Sequence, residues 1–368
     1  MVAALVSSLA LCVPGWHVVP GVAAPAAVLY TVSASGPADA WAAGGALVEH
    51  WDGSGWNRVP VPAGTRVVDV AAMSASDAWI VGSAEGRPAV QHWDGSAWSA
   101  VAPPPSVTTA TNGLGADASR TFDAVAASSS SDVWAVGYDE RKHSEPEKPL
   151  TFGVVVHWDG ATWSDSGVPL LPDVTLSDVS AASPTDVWAV GRDDGHRTGI
   201  ALHWDGSRWT VFHPHAPEGT ESVTFSSIAR IAADDIVVSA SVDPYPVDEL
   251  TGDSWGVVYR WDGHRWTKRV LDGTGDFAGY DAAAAIDKTN VWIVDNTYDP
   301  FRQQPGTQLF RLAQPRARTT FKQGQVLESL AFDGVGLWGV GWIGSGRADS
   351  YDYGYARARP LIMRYDCG

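Results

Sequence analysis

The chain has 368 residues, a formal net charge of −17 and only 18% charged residues, with 38 glycines. Nucleic acids and anionic membrane surfaces attract basic proteins, so this acidic balance argues against both as partners. Beyond the N-terminus no stretch reaches about 18 uninterrupted apolar residues, and we therefore predict no membrane insertion.

The N-terminal segment has part of the character of a signal peptide. Residues 1–11 are mostly apolar, and Ser8-Leu9-Ala10 suits a signal-peptidase site. No lysine or arginine precedes Arg58, so the basic segment that opens a signal peptide is missing. Residues 1–10 are therefore either the remnant of a longer signal peptide, which we favour, or a retained extension. Residues 11–368 are predicted to form a single domain.

One sequence pattern recurs seven times along the rest of the chain. Its first element reads Asp-Val-Trp-Ala-Val-Gly in the clearest copies, and its second reads His-Trp-Asp-Gly and then, after two residues, Trp. Successive copies begin 38 to 55 residues apart, which is the length of one four-stranded propeller blade. The first elements begin at Asp39, Asp77, Asp132, Asp186, Asp235, Asn290 and Gly336.

The strands within a copy follow from period-two alternation and turn residues. In the fourth copy, Ser183-Pro184-Thr185-Asp186 and Asp205-Gly206-Ser207 supply the side-chain hydrogen bonds and positive φ that tight hairpins need. Each copy is thus predicted to be an antiparallel meander of strands a to d. In the fourth copy these strands are predicted at residues 176–181, 187–190, 200–204 and 208–212.

The two ends of the chain predict that the blades form a closed ring. The seventh copy has strands a, b and c but lacks strand d, and residues 15–20 resemble residues 55–60, the strand d segment of the first copy. The predicted fold class is therefore all-β: a seven-bladed β-propeller of four-stranded antiparallel blades, whose last blade is completed by an N-terminal strand near residues 12–20. The only two cysteines, Cys12 and Cys367, then meet at this seam, and we predict a disulfide bond between them.

The motifs also resemble a known group of sequences. Asp132–Gly137 with His157–Trp163, together with the Trp-x-Val-Val-Pro segment at Trp16–Pro20, is similar to the Trp-rich propeller repeats of secreted actinobacterial proteins. The likeness to kelch, galactose-oxidase-type and tectonin-type propellers is more distant. The resemblance extends from about Cys12 to Gly368 and implies a propeller fold in a secreted protein, but it implies no activity.

Connection lengths predict which face of the propeller binds a ligand. Joins from a to b and from c to d are short, whereas joins from b to c and from d to a lie together on the opposite face and contain the insertions. Loops held by a rigid scaffold are the usual seat of function, so we predict the site on this loop face. The insertions are residues 103–121, 138–151, 192–198, 213–222, 241–254, 295–307 and 342–360.

Acidic and aromatic residues of these joins are the candidate ligand-binding residues. The acids form a Ca²⁺ site, an acid/base pair or simply a set of solvated loop acids. The aromatic and arginine side chains offer the stacking and hydrogen-bonding groups that sugars and peptides use, or they pack on one another. The candidates are Asp139, Asp193, Asp295, Tyr298, Asp299, Trp342, Arg347, Tyr351, Tyr353 and Tyr355.

The histidines are predicted to be structural. Four of them recur before the strand c tryptophan, and four copies around a ring cannot converge on one ion. His213-Pro214-His215 offers two histidines without a third ligand nearby in the sequence, so we do not predict zinc there. The repeat histidines are His50, His92, His157 and His203, and the acids expected to face the central channel are Asp69, Asp123 and Asp178.

Three functions fit these features. We favour a secreted, monomeric, non-catalytic binding module that takes a glycan or a protein on the loop face, with no resident cofactor unless Ca²⁺ is bound. An extracellular scaffold without a small ligand and a propeller hydrolase or lyase acting on polysaccharide are the alternatives. No motif identifies a nucleophile, base or cofactor, which is why the enzyme is not preferred.

Overall fold

The computed structural model describes residues 14–24, 26–103, 118–141, 150–244, 254–270, 279–299, 304–322, 324–344 and 358–366. Regular structure within these ranges consists of 29 β-strands in seven antiparallel sheets. The strand a segments of successive sheets contact one another, and those of the last and first sheets do so too, so the ring is closed around a central channel. The predicted seven-bladed propeller is confirmed. No helix among the described residues combines the length and the apolar character required to span a membrane.

Blades 1 to 4 follow one another along the chain, with strands a to d in sequence order. Blade 1 contains β2 (Thr31–Gly36), β3 (Asp39–Gly44), β4 (Leu47–Trp51) and β5 (Trp56–Arg58), and blade 2 contains β6 (Thr65–Ser74), β7 (Asp77–Ala84), β8 (Arg87–Trp93) and β9 (Trp98–Val101). Blade 3 contains β10 (Ala118–Ser129), β11 (Asp132–Arg141), β12 (Leu150–Trp158) and β13 (Trp163–Asp165), and a fifth strand, β14 (Leu171–Pro172), pairs with β12. Blade 4 contains β15 (Val174–Ser183), β16 (Asp186–Asp193), β17 (Thr198–Trp204) and β18 (Trp209–Phe212).

Blades 5 to 7 complete the ring. Blade 5 contains β19 (Thr220–Ala232), β20 (Asp235–Pro244), β21 (Trp255–Trp261) and β22 (Trp266–Val270), and blade 6 contains β23 (Gly279–Asp287), β24 (Asn290–Asp299), β25 (Gln304–Arg311) and β26 (Gln314–Thr320). Blade 7 contains β27 (Gln325–Phe332), β28 (Leu337–Ile343), β29 (Arg359–Asp366) and β1 (Gly15–Val18).

Strand β1 is the outermost strand of blade 7, where it pairs antiparallel with β29. Its Trp16 packs against the Tyr365 ring and edge-on against Trp292 of blade 6, at centroid distances of 5.4 and 5.8 Å. The predicted completion of the last blade by the N-terminal segment is therefore confirmed. Cys12 and Cys367 lie outside the described residues, so the disulfide bond between them stays a prediction.

Tryptophan rings hold neighbouring blades together. Trp188 on strand b of blade 4 is almost fully buried and packs edge-on against Trp266 of blade 5, with ring centroids 5.8 Å apart. It also contacts Trp261, so one ring fills the space against strands c and d of the next blade. The equivalent pairs at five other boundaries are Trp41 with Trp98, Trp79 with Trp163, Trp134 with Trp209, Trp292 with Trp16, and Trp338 with Trp56.

The boundary between blades 5 and 6 is packed differently. Val237 occupies the strand b position of the tryptophan, and it packs with Tyr280 and Phe310 of blade 6, whose ring centroids are 5.5 Å apart. A Cβ on Gly256 would collide with the Tyr280 ring. This glycine in strand c of blade 5 therefore makes room for an aromatic ring that the repeat pattern does not contain.

Each repeat histidine binds the aspartate that begins strand b of its own blade. His203 Nε2 donates to Asp186 Oδ1 at 3.1 Å, and its ring stacks on Trp188 at 4.3 Å. Arginine replaces this histidine in blades 5, 6 and 7. Arg364 pairs with Asp333 in the a-to-b turn instead of a strand b residue, and the guanidinium of Arg311 in blade 6 lies over the Trp292 ring. The predicted structural role of the histidines is confirmed. The other pairs are His50 with Asp39, His92 with Asp77, His157 with Asp132, Arg260 with Asp235, and Arg364 with Asp333.

The Asp-Gly turn between strands c and d forms as predicted. Asp205 accepts hydrogen bonds from the Ser207 hydroxyl and from the backbone N–H groups of Ser207 and Arg208, while Gly206 has a φ of +89°. These bonds, the Ser207 hydroxyl first among them, lower the pKa of Asp205 to about 2. Asp52, Asp94, Asp159 and Asp262 accept the same backbone hydrogen bonds in their own blades.

The glycine that ends the first repeat element faces a β-bulge in strand a. In blade 4 the register slips between Leu176 and Asp178, which leaves Ser177 extra. A Cβ on Gly191 would overlap the Thr175 carbonyl oxygen, so glycine is required opposite the bulge in this blade, whereas Ala240 and Asp295 occupy the equivalent position in blades 5 and 6. The same slip occurs in blades 2, 3, 5, 6 and 7. A bulge changes the direction of the side chains beside it, and these bulges lie in strand a, the innermost strand of each blade.

Trp188→Ala should lower the free energy of unfolding by about 3–5 kcal/mol, because it leaves a cavity between two blades. The measurement is denaturant unfolding at equilibrium. Val335→Ala, at an exposed turn position, is the control and should change stability by less than about 0.5 kcal/mol. A loss below about 1 kcal/mol for Trp188→Ala would contradict the interblade role of the ring.

Candidate functional site

Acidic side chains surround the central channel. Asp69 accepts the backbone N–H of Val125 in blade 3 at 2.8 Å, and Asp178 accepts that of Ile228 in blade 5 at 2.7 Å. These carboxylates therefore link adjacent blades, so they are part of the scaffold. The acids at or beside the bulges are Asp69, Asp123, Asp178, Asp281 and Glu328.

Enclosure by the ring raises the pKa values of these acids. Burial raises the pKa of Asp123 to about 6. Burial also raises the pKa of Asp178 to about 7 against the opposing Ile228 hydrogen bond, and the charge of Asp69 adds to the rise. Burial, with the charge of Glu328, raises the pKa of Asp281 to about 7. Near neutral pH the channel therefore holds a mixture of protonated and ionised carboxyls.

The structure does not bring the predicted acids of the loop face into one group. Asp139 is fully buried in blade 3, where it forms a two-point ion pair with Arg120 at 2.9 and 3.1 Å. Asp295 of blade 6 occupies the place of the bulge glycine and pairs with Arg318. Both carboxylates therefore neutralise arginines in separate blades, the buried Arg120 in blade 3 and the half-buried Arg318 in blade 6.

The remaining predicted residues are only partly described. Trp342 is half-buried, and its indole N–H donates to Glu328 at the channel at 2.8 Å. For Tyr298 and Asp299 the structure describes the backbone of β24 alone. Arg347, Tyr351, Tyr353 and Tyr355 lie outside the described residues, so their predicted contacts with a ligand stay predictions.

Asp193 is the predicted site residue that lies within a cluster of polar groups. It ends strand β16, and its Oδ1 accepts the backbone N–H of His196 at 2.9 Å, which closes the turn into strand c. Its Oδ2 accepts hydrogen bonds from His196 Nδ1 and His213 Nε2, both at 2.8 Å. The two imidazole rings lie 4.6 Å apart. A nearly buried carboxylate thus fixes two histidines that come from different joins of blade 4.

The charge state of the Asp193 cluster follows from these contacts. Burial alone would raise the pKa of the Asp193 carboxyl. The hydrogen bonds from the His196 amide and from both imidazoles outweigh this effect and hold the pKa below its usual value. The carboxylate is therefore ionised at neutral pH and available as an acceptor or ligand.

The same two joins enclose an open cleft of about 750 Å³. One wall is the b-to-c join of blade 4 at residues 196–198, and the other is the connection to blade 5 at residues 213–221. Lys268 and Tyr259 of blade 5 hold this connection in place by donating to the His215 carbonyl at 3.0 and 3.3 Å. The cleft therefore lies on the loop face, at the boundary between blades 4 and 5.

Seven of the eleven residues that line this cleft have side chains that can form hydrogen bonds. Arg197 and Glu221 form an ion pair between its two walls. Three imidazoles and two threonine side chains add further donors and acceptors, and prolines, an alanine and a glycine supply the rest. No lining residue is Trp, Tyr, Phe or Leu. The cleft is thus suited to a polar ligand.

His196 and His213 are site residues that the sequence pattern did not predict. The prediction against zinc considered only His213-Pro214-His215, whereas the structure places His196 and Asp193 beside His213 and leaves the His215 imidazole outside the cluster. The positions of these residues in the two connections of blade 4 could have predicted the cluster. Both joins of one blade meet on the loop face, so an Asp-x-x-His in one join and a histidine at the start of the other belong together.

Comparison with known proteins identifies the fold alone. No protein-family model and no curated protein matches the sequence. Matching solved structures include U3-55K, with 13% identity over 95% of this chain and 98% of its own at a TM-score of 0.58. The WD40 propeller domain of Doa1 matches with 9% identity over 95% and 97% at a TM-score of 0.55. A protein of unknown function from Dyadobacter fermentans matches with 12% identity over 96% and 100% at a TM-score of 0.50. The resemblance to secreted actinobacterial repeats stays a prediction.

Stability should fall as pH rises from about 4 to 7. Asp123, Asp178 and Asp281 have folded-state pKa values of about 6 to 7 against an ordinary 3.8, so the folded chain keeps protons that the unfolded chain has released. Asp123→Asn removes one of these titrating groups and should therefore reduce the decline in melting temperature between pH 5 and 8. No hydrogen bond from a described residue reaches that carboxylate, so the substitution breaks none. Asp287→Asn is the control, since the pKa of this exposed turn acid is about 2 and its titration lies below the tested range. An unchanged slope in Asp123→Asn would contradict the assignment.

Proposed function

We propose that this protein is a non-catalytic binding module that takes a glycan on its loop face, in the cleft between blades 4 and 5. The observation that carries the proposal is the set of hydrogen-bonding side chains that line a cleft formed by the two joins of blade 4. The cleft volume of about 750 Å³ is within the range of small-ligand sites and would take a short oligosaccharide.

The lining supports a glycan over a protein ligand. Protein interfaces derive most of their affinity from buried aromatic and arginine anchors, whereas the cleft lining contains no aromatic ring of Trp or Tyr and its one arginine, Arg197, is exposed. Sugar hydroxyls instead need paired donors and acceptors such as Arg197 and Glu221, which are held side by side. Pro214 and Pro217 restrict the connection that forms one wall, and this rigidity lowers the entropy lost on binding.

The contacts of the acids support binding over catalysis. Asp139 and Asp295 are engaged by arginines, and Asp69 and Asp178 accept backbone N–H groups of the next blade. A glycosidase needs two carboxyl groups free to act on either side of one bond. In the cleft the lining contains a single carboxylate, Glu221, and it is paired with Arg197.

The test is a binding screen of the purified full-length protein against glycan and peptide arrays, with and without Ca²⁺. We expect binding to one class of glycans without product release, weakened about tenfold or more by Arg197→Ala through the loss of a charged hydrogen bond. Arg265→Ala is the matched control, because it removes an exposed, ion-paired arginine from a c-to-d turn on the opposite face.

Each other outcome contradicts a part of the proposal. Binding to peptides alone would favour a protein ligand, and release of product from polysaccharides would favour the hydrolase or lyase. Absence of binding to either array would favour an extracellular scaffold. Equal losses in Arg197→Ala and Arg265→Ala would place the ligand outside the cleft.

We also propose that the protein acts outside the cytoplasm, because residues 1–11 are mostly apolar and the only two cysteines, Cys12 and Cys367, lie close in sequence to β1 and β29, the two paired strands of blade 7. Protein exported to an oxidising compartment should then have no thiol that reacts with maleimide until it is reduced. In the chain-entropy model a crosslink over so long a loop contributes about 5 kcal/mol, so reduction should lower the melting temperature. Cys12→Ser should melt like the reduced protein, and two reactive thiols in the exported protein would contradict the bond.

A further inference from the structure

We propose that Asp193, His196 and His213 bind one divalent transition-metal ion, for which Zn²⁺ is the best match. Their ligand atoms, Asp193 Oδ2, His196 Nδ1 and His213 Nε2, all lie within 4.8 Å of one another. Among the described residues no other set of three His, Cys, Asp or Glu side chains converges in this way. The repeat pattern does not account for Asp193, His196 and His213, since the repeat histidines bind the aspartates that begin strand b.

The spacing of the ligand atoms is close to that of a zinc site. Zinc–ligand bonds of about 2.0–2.1 Å in tetrahedral geometry separate neighbouring ligand atoms by about 3.3 Å. The two imidazole nitrogens each lie 2.8 Å from the Asp193 oxygen, as hydrogen-bond partners. An ion entering between them would replace the two hydrogen bonds and move each ring by about half an ångström. Each neutral imidazole would then bind through the nitrogen that now donates and carry its proton on its other ring nitrogen, while a protonated imidazole would release one proton to solvent.

The cluster combines a fixed ligand with adjustable ones. The Asp193 side chain is only 6% exposed and is held by the strand pairing of β16 and by the His196 amide. The His196 and His213 side chains are 68% and 33% exposed, so their rings can take up metal geometry without moving the core. Both histidines line the cleft, so the fourth coordination position would face a ligand bound there.

The donor set selects the class of ion. Two imidazole nitrogens with one carboxylate suit zinc, and also copper, nickel and cobalt. Ca²⁺ takes six to eight oxygen ligands, and this cluster offers oxygen from only one side chain. Ca²⁺ at this position is therefore disfavoured, whereas a net charge of −17 attracts any cation to the protein.

The metal site can be tested separately from glycan binding, because metal alone is the probe. Chelator-stripped full-length protein is titrated with ZnCl₂ by calorimetry, and the same protein is titrated with CaCl₂. We expect one Zn²⁺ per chain, a rise in melting temperature with Zn²⁺, and no matching signal from Ca²⁺. Co²⁺ in place of Zn²⁺ should give the visible absorption of four-coordinate cobalt.

His213→Ala and His196→Ala should each weaken Zn²⁺ binding by about tenfold or more and abolish the cobalt absorption. His196 is exposed, so its variant folds even if His213→Ala does not. His215→Ala is the matched control, because this exposed histidine lines the same cleft outside the cluster, and it should bind Zn²⁺ like the natural sequence.

Three results would overturn the metal site. These are the absence of one-to-one binding, unchanged affinity in both His196→Ala and His213→Ala, and a loss in His215→Ala as large as theirs. Failure of the glycan screen would leave these measurements untouched. Conversely, a protein that binds glycans but not Zn²⁺ would retain the proposed function and lose only the metal.

Discussion

The interlock of tryptophan rings between blades is the interaction on which the rest of the structure depends. A four-stranded sheet exposes two apolar faces, and at six of the seven blade boundaries a strand b tryptophan of one blade packs against the next blade to cover them. Trp16 of β1 makes the equivalent contact with Trp292, so the N-terminal strand takes part in the packing between blades 6 and 7. The loop face can vary because this packing does not involve it, and the cleft of blade 4 is built on that freedom.

Periodicity made the fold predictable from sequence, while the site depends on contacts that have no period. Residues 15–20 repeat the strand d pattern of the first copy, so ring closure could be inferred from the repeat pattern alone. The Asp193 cluster joins residues from two connections whose sequences occur once each. The packing at the boundary between blades 5 and 6 could not be predicted either, because the Tyr280 ring of blade 6 fills a space left by Gly256 of blade 5. Strand lengths were underestimated where pairing continues into an insertion, as at Arg141 with Leu150.

Aspartate has several roles in this chain, and environment decides between them. In the exposed turns, hydroxyl and backbone donors lower the pKa of Asp205 to about 2, whereas enclosure in the ring raises that of Asp178 to about 7. Asp139 neutralises the buried Arg120, and Asp193 accepts hydrogen bonds from His196 and His213. Composition indicates only an acidic protein. The chemistry of each acid follows from the strand position it occupies.

The shared last blade has a consequence for how the ring is assembled. Strand β1 is synthesised before every other strand, and its partner β29 is synthesised after them, so β1 waits through the production of six complete blades. The pairing with the greatest sequence separation is therefore the one that forms last, and long-range pairings of this kind slow folding. Until β29 is synthesised, β1 has no partner strand and the last blade cannot be completed.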